Sequence, residues 1–67
     1  MAAYKKIEVV GTSSESVAEA IRAAVAEAGK TVRNMSWFEV GEIRGAIKSG
    51  KVAEFQVTVR IGFKVEH

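Results

Sequence analysis

From Val52 to Val65 apolar and polar residues alternate almost without a break. Ala53, Phe55, Val57, Val59, Ile61, Phe63 and Val65 fall on one side, and Val52, Glu54, Gln56, Thr58, Arg60, Gly62 and Lys64 on the other. A period of two marks a strand with one buried and one wet face, and Trp37 to Ile47 reads the same way. The intervening Lys48-Ser49-Gly50-Lys51 predicts a hairpin turn. Tyr4 to Val10 also alternates, with Lys5, Ile7 and Val9 against Tyr4, Lys6, Glu8 and Val10, and Gly11 is expected to end that strand. A different period follows: Val17, Ala20, Ile21, Ala24, Val25 and Ala28 form one stripe at helical spacing. Thr12-Ser13-Ser14-Glu15 has the spacing of a capping box and places the helix start near Ser13. Gly29 or Asn34 would stop it, with the end expected near Val32. The pattern therefore predicts an α+β fold, β-α-β-β, in which a three-stranded antiparallel sheet packs on one helix as a single domain over residues 1–67.

A two-residue turn at Ser49-Gly50 sets the hairpin register. Phe38 then opposes Ile61, Glu39 opposes Arg60, Val40 opposes Val59 and Trp37 opposes Gly62. One face is apolar core beneath the helix, with Phe38 and Val40 in it; on the other, no cross-strand side chain covers Trp37 where it meets the glycine. A helix of about 18 residues spans roughly 27 Å, whereas strands of about 11 to 14 residues span roughly 36 to 46 Å. The sheet outruns its helix, leaving apolar surface near Phe55 and Ala53 for a partner chain. A chain of 67 residues buries only roughly 60% of its unfolded surface. Both arguments lead to a homo-oligomer.

Composition removes several function classes. There is no cysteine, and the one histidine is His67 at the terminus, where it is expected to fray, so disulfide scaffolds and thiolate or histidine metal sites are not expected. With 48% hydrophobic and 27% charged residues the chain has the make-up of a folded domain rather than a disordered one. No apolar run approaches a membrane span. The mixed run Ile7-Glu8-Val9-Val10 does not resemble a secretory signal, and the chain reads as cytoplasmic. A net charge of +2 is slight for a nucleic-acid binder, and no nucleic-acid partner is expected.

Gly11-Thr12-Ser13, Trp37-Phe38-Glu39-Val40, Ile43-Arg44-Gly45, Phe55-Gln56-Val57 and Gly62-Phe63 together resemble the dodecin family in order and spacing over almost the whole chain. The resemblance implies a hollow homo-dodecamer of β-α-β-β subunits that binds flavins in stacked pairs between tryptophans of neighbouring subunits. It implies that Trp37 stacks on the isoalloxazine, that Gln56 hydrogen-bonds its polar edge, and that Arg44 helps to close the site. Some bacterial members also bind coenzyme A at the shell surface, at positions matching Lys6, the segment Thr31, Val32 and Arg33, and the end of the chain near Lys64 and Glu66. Lys64 departs from the arginine that some members carry, and Glu27 from a basic residue in a coenzyme A-binding relative.

Physical chemistry supports those roles independently. Offset stacking of a flat heteroaromatic on indole contributes roughly 0.5–1.5 kcal/mol beyond area burial. A glutamine amide offers one acceptor and two donors, matching an edge that alternates carbonyls with an N–H. The phosphate of FMN would be met by Arg44, Arg60 or Lys64, arginine with bidentate geometry. Each residue also has a plainer role. A lone tryptophan in a small domain is commonly packing, Gln56 on a polar face is commonly just solvated, and Arg60 is expected to pair with Glu39. The expected function is non-enzymatic flavin storage and sequestration. The alternatives are a small flavin-dependent redox enzyme, for which no cysteine and no internal histidine supply acid–base chemistry, and a nucleic-acid module built on Trp37 and basic strand residues. Trp37 and Gln56 lie roughly 20 Å apart along the predicted hairpin, with Gln56 near Ile43. One ring gripped by both must therefore lie between subunits.

Overall fold

The computed structural model describes residues 2–66, so His67 lies outside the described residues. Strand β1 (Tyr4–Ser13) is followed by helix α1 (Val17–Ala28), strand β2 (Met35–Lys48) and strand β3 (Lys51–Lys64). The three strands form one antiparallel sheet in the order β1-β3-β2. The clean alternation of β3 suits its central place: Val57, Val59 and Ile61 are buried against Ala20, Ala24 and Ala28 of α1, ringed by Ile7, Val9, Val17, Ile21 and Val25. Burial of each of the three β3 side chains contributes about 1.5–3 kcal/mol. The alanine stripe brings helix and sheet very close at Gly11. A Cβ there would lie 2.9 Å from that of Ala24 and would run into the Ala20 carbonyl oxygen.

The helix departs from expectation at both ends. β1 continues through Thr12, which pairs with Gln56, so Thr12 is unavailable as a cap. Ser16 caps instead, its hydroxyl accepting from the Glu19 N–H at 3.0 Å, and Ser13 Oγ accepts from the N–H groups of Glu15 and Ser16 in the connecting turn. At the other end α1 stops at Ala28, with Gly29 as its cap and the N–H groups of Thr31 and Val32 both donating to the Ala28 carbonyl. Asn34, in the left-handed region at φ 61°, then leads into β2. The 12-residue helix is only about 18 Å long, in a molecule measuring 52 × 19 × 13 Å. The overhang is larger than the sequence predicts.

The hairpin turns at Ser49 and Gly50, with φ of 51° and 75°, the two left-handed residues of a type I′ turn. The expected pairs Trp37–Gly62, Phe38–Ile61, Glu39–Arg60 and Val40–Val59 are all formed. Between them and the turn lie two compensating irregularities. Gly41 and Glu42 bulge out of β2, and a second shift follows Ala46. Gln56 is consequently opposite Arg44 and not Ile43.

α1 lies over β1 and β3. The apolar side of β2 is therefore bare: Phe38 is 51% exposed and Ile47 74%, with Val40 and Ile43 also exposed. Phe38 and Val40, expected in the core, are surface residues of the chain because the helix sits to one side of the sheet. Among the described residues no helix is long and apolar enough to cross a membrane.

Candidate functional site

The sheet face turned away from α1 is built in rows across all three strands. Lys6, Gly62 and Trp37 form one row, Glu8, Arg60 and Glu39 the next, and Thr12, Gln56 and Arg44 a third. In the first row Trp37 lies down across the glycine. A Cβ at position 62 would come within 2.5 Å of Trp37 Cη2 and closer still to Cε2 and Cζ2, so only glycine leaves room for the benzo ring. The Tyr4 ring packs beside it, with centroids 5.2 Å apart and planes inclined at 57°. Trp37 nevertheless remains 40% exposed. The result is an indole seated on the Gly62 backbone with part of its surface still exposed.

The second row is a charge lattice. Arg60 bridges Glu39 of β2 at 3.2 Å and Glu8 of β1 at 3.3 Å, and Lys6 Nζ reaches diagonally to Glu39 Oε1 at 2.8 Å. The hydrogen bond from Lys6, and next that from Arg60, hold the Glu39 carboxyl below the usual glutamate range, while Glu39 and then Glu8 raise the Arg60 guanidinium further. The expected Glu39–Arg60 pair is thus present with two additional partners. It occupies Arg60, one of the three cations expected to meet a flavin phosphate.

In the third row Gln56 and Arg44 are direct cross-strand neighbours. One Gln56 Nε2 hydrogen bond is donated to Glu54 Oε1 at 3.0 Å, which leaves the amide oxygen and the second N–H for another partner. Six β3 positions separate Gln56 from Gly62, about 20 Å by strand rise. Trp37 therefore does not converge with Gln56 and Arg44 within one chain. Lys64, opposite Tyr4, is exposed at the Trp37 end.

The residues singled out for coenzyme A separate in a different way. Thr31, Val32, Arg33 and Glu66 line one cleft of about 310 Å³ together with Lys64. Lys6 is not part of it, being on the opposite face and paired with Glu39; its neighbour Lys5 lines the cleft instead. Sequence reasoning also missed Tyr4 as the neighbour of Trp37. Its signal was available: Tyr4 alternates onto the same face as Lys6, and antiparallel pairing of β1 with β3 brings both beside Gly62.

A family model described as Dodecin matches residues 3–66. The curated dodecin of Thermus thermophilus is 54% identical over 63 residues, covering 94% of this chain and 91% of its own. Among solved structures, an arginine-to-alanine variant of Thermus thermophilus dodecin superimposes with a TM-score of 0.95 at 49% identity, each chain covered in full. The dodecin of Streptomyces coelicolor gives a TM-score of 0.95 at 45% identity, covering 98% of this chain and 94% of that one.

Proposed function

Because the chain belongs to the dodecin family, we propose that it is a non-enzymatic cytoplasmic protein that binds and sequesters FMN or a related flavin within a homo-oligomer, a hollow dodecamer. The observation that carries this reading is the seat of Trp37, an indole held flat on Gly62 with its outer face exposed on the uncovered side of the sheet. Such a plane fits a flat heteroaromatic, and Gln56 with Arg44 fits its polar edge and negative charge. A bound flavin would supply an isoalloxazine whose excited state the neighbouring indole quenches by electron transfer. The roughly 20 Å between Trp37 and Gln56 supports a site shared between subunits, in which tryptophans of neighbouring chains enclose a pair of flavins. The bare apolar side of β2, from Phe38 to Ile47, supplies a surface for such contacts.

The charge lattice favours this reading over the two alternatives. Lys6 and Arg60 are matched by Glu39 and Glu8, so the rows beside Trp37 offer a nucleic-acid backbone little net positive charge. The same pairing occupies the carboxylate closest in sequence to Trp37, leaving it poorly suited as a general base. Titration of flavin-free protein with FMN and with riboflavin tests the proposal: flavin emission falls on binding, and Trp37→Ala weakens binding while the oligomer persists. Unaltered emission contradicts it.

Coenzyme A is a second proposed ligand, supported by the cleft that gathers Thr31, Val32, Arg33, Lys64 and Glu66, with Lys5 as its further cation in place of Lys6. Calorimetric titration with coenzyme A yields heat of binding in the native protein, weakened in Arg33→Ala. No heat in the native protein excludes this ligand.

A further inference from the structure

A stacking platform works only if its ring is already in place, since an indole that swings between rotamers must be ordered each time a ligand binds. Two contacts fix Trp37, and a third side chain is held clear of it. Gly62 supports the ring from below, where even a methyl group would collide. Lys6, which shares the row with Gly62, has its ammonium drawn to Glu39 at 2.8 Å, into the neighbouring row and away from the space over the glycine. Tyr4 packs beside the indole, its ring centroid 5.2 Å away and its plane tilted by 57°, an arrangement that suits the quadrupoles of two aromatic rings. Tyr4 comes from β1, two strands away from β2 in the sheet, so the contact spans β3 and is made by tertiary structure alone.

We propose that Tyr4 is a positioning residue for the ligand platform: its ring, together with the Gly62 backbone, holds the Trp37 indole flat so that flavin meets a preorganised surface. The proposal rests on the reading of Trp37 as the flavin platform, but the Tyr4 contact can be tested without any flavin. Trp37 is the only tryptophan and Tyr4 the only tyrosine, so indole emission and its near-ultraviolet circular dichroism report on this one ring.

The experiment compares Tyr4→Phe, which keeps the ring, with Tyr4→Leu, which keeps bulk but not aromaticity. Fluorescence anisotropy decay and dichroism of Trp37 are measured in the flavin-free oligomer, followed by FMN titration. The expected result is native behaviour in Tyr4→Phe. In Tyr4→Leu, faster local motion of the indole and an altered dichroic band accompany affinity for FMN about two- to tenfold weaker, at unchanged oligomer mass. Native indole dynamics in Tyr4→Leu overturn the proposal. So does faster motion without loss of affinity, and so does a Tyr4→Phe variant as impaired as Tyr4→Leu, which would assign the effect to the hydroxyl. Loss of the oligomer in Tyr4→Leu also overturns it, by making Tyr4 an assembly residue. If FMN binds neither the native protein nor the variants, the flavin reading and the positioning role fall together, while the indole measurements still judge the Tyr4–Trp37 contact.

Discussion

Gly62→Ala probes the platform from below. The added Cβ would lie within 2.5 Å of Trp37 Cη2, so that part of the ring must move by at least about half an ångström to reach the 3.0 Å that real contacts respect. Position 62 is ordinary strand backbone, and the effect is one of space rather than of backbone strain. Overpacking in a core costs about 1–3 kcal/mol. Because Trp37 is partly exposed and can tip outward, the stability loss belongs at the low end, about 1 kcal/mol. Stacking loses more. One indole face contributes roughly 100 Å² of contact, about 2.5 kcal/mol, plus about 0.5–1.5 kcal/mol from ring–ring geometry. A tipped ring that forfeits half of this loses roughly 1.5–2 kcal/mol, or about 10- to 30-fold in affinity. FMN titration by fluorescence quenching, with urea denaturation of the same preparations, separates the two effects. Gly41→Ala is the control, since the nearest atoms to a Cβ there belong to the Arg60 guanidinium and none to Trp37. Affinity within about twofold of native in Gly62→Ala would refute the seating of the indole.

Gly11→Ala should destabilise the subunit by about 3 kcal/mol, the upper end for overpacking, because the obstacle is the Ala20 backbone and neither side can yield; a urea midpoint near native would contradict the close helix–sheet approach. Glu39 has its folded pKa depressed by Lys6 and Arg60, so its carboxylate contributes stability above the unfolded pKa of about 4.3 and loses it as pH falls through the lower folded value. Acid titration of Glu39→Gln should accordingly show a flatter loss of stability below about pH 4.3, and identical acid profiles would place the dependence elsewhere. Phe38→Asp puts a charge on the bare side of β2 and should yield smaller species by native mass spectrometry with the far-ultraviolet dichroism of the fold retained; an unchanged mass would move the interface to another surface.

Much of the fold is written in local pattern. The alternation around Val57, Val59 and Ile61 identifies the central strand, and Ser49-Gly50 gives the turn and the pairing of Trp37 with Gly62. Errors arise where two local signals compete. Thr12-x-x-Glu15 and Ser16-x-x-Glu19 both have capping spacing, and the choice falls to Ser16 because Thr12 is held in the sheet by Gln56. The Gly41–Glu42 bulge cannot be seen from a two-residue turn, and it moves Gln56 from Ile43 to Arg44. Lateral placement of the helix is a tertiary matter, which is why Phe38 and Val40 pass for core residues in sequence yet lie on the surface of the subunit. For the candidate site, Trp37, Gln56 and Arg44 follow from residue chemistry and family resemblance. Tyr4 beside Trp37, and the place of Lys5 rather than Lys6 along the cleft that Arg33 lines, become apparent only once β1 is registered against β3.

The proposed function requires flavin to be held at Trp37 by an assembly and not by a single chain. Native mass spectrometry of the flavin-loaded protein, recorded across increasing collision energy, distinguishes the two. The expected result is a homo-oligomer carrying flavin mass, from which released subunits emerge flavin-free. A monomer that retains bound flavin, or an intact oligomer that takes up none, would contradict it.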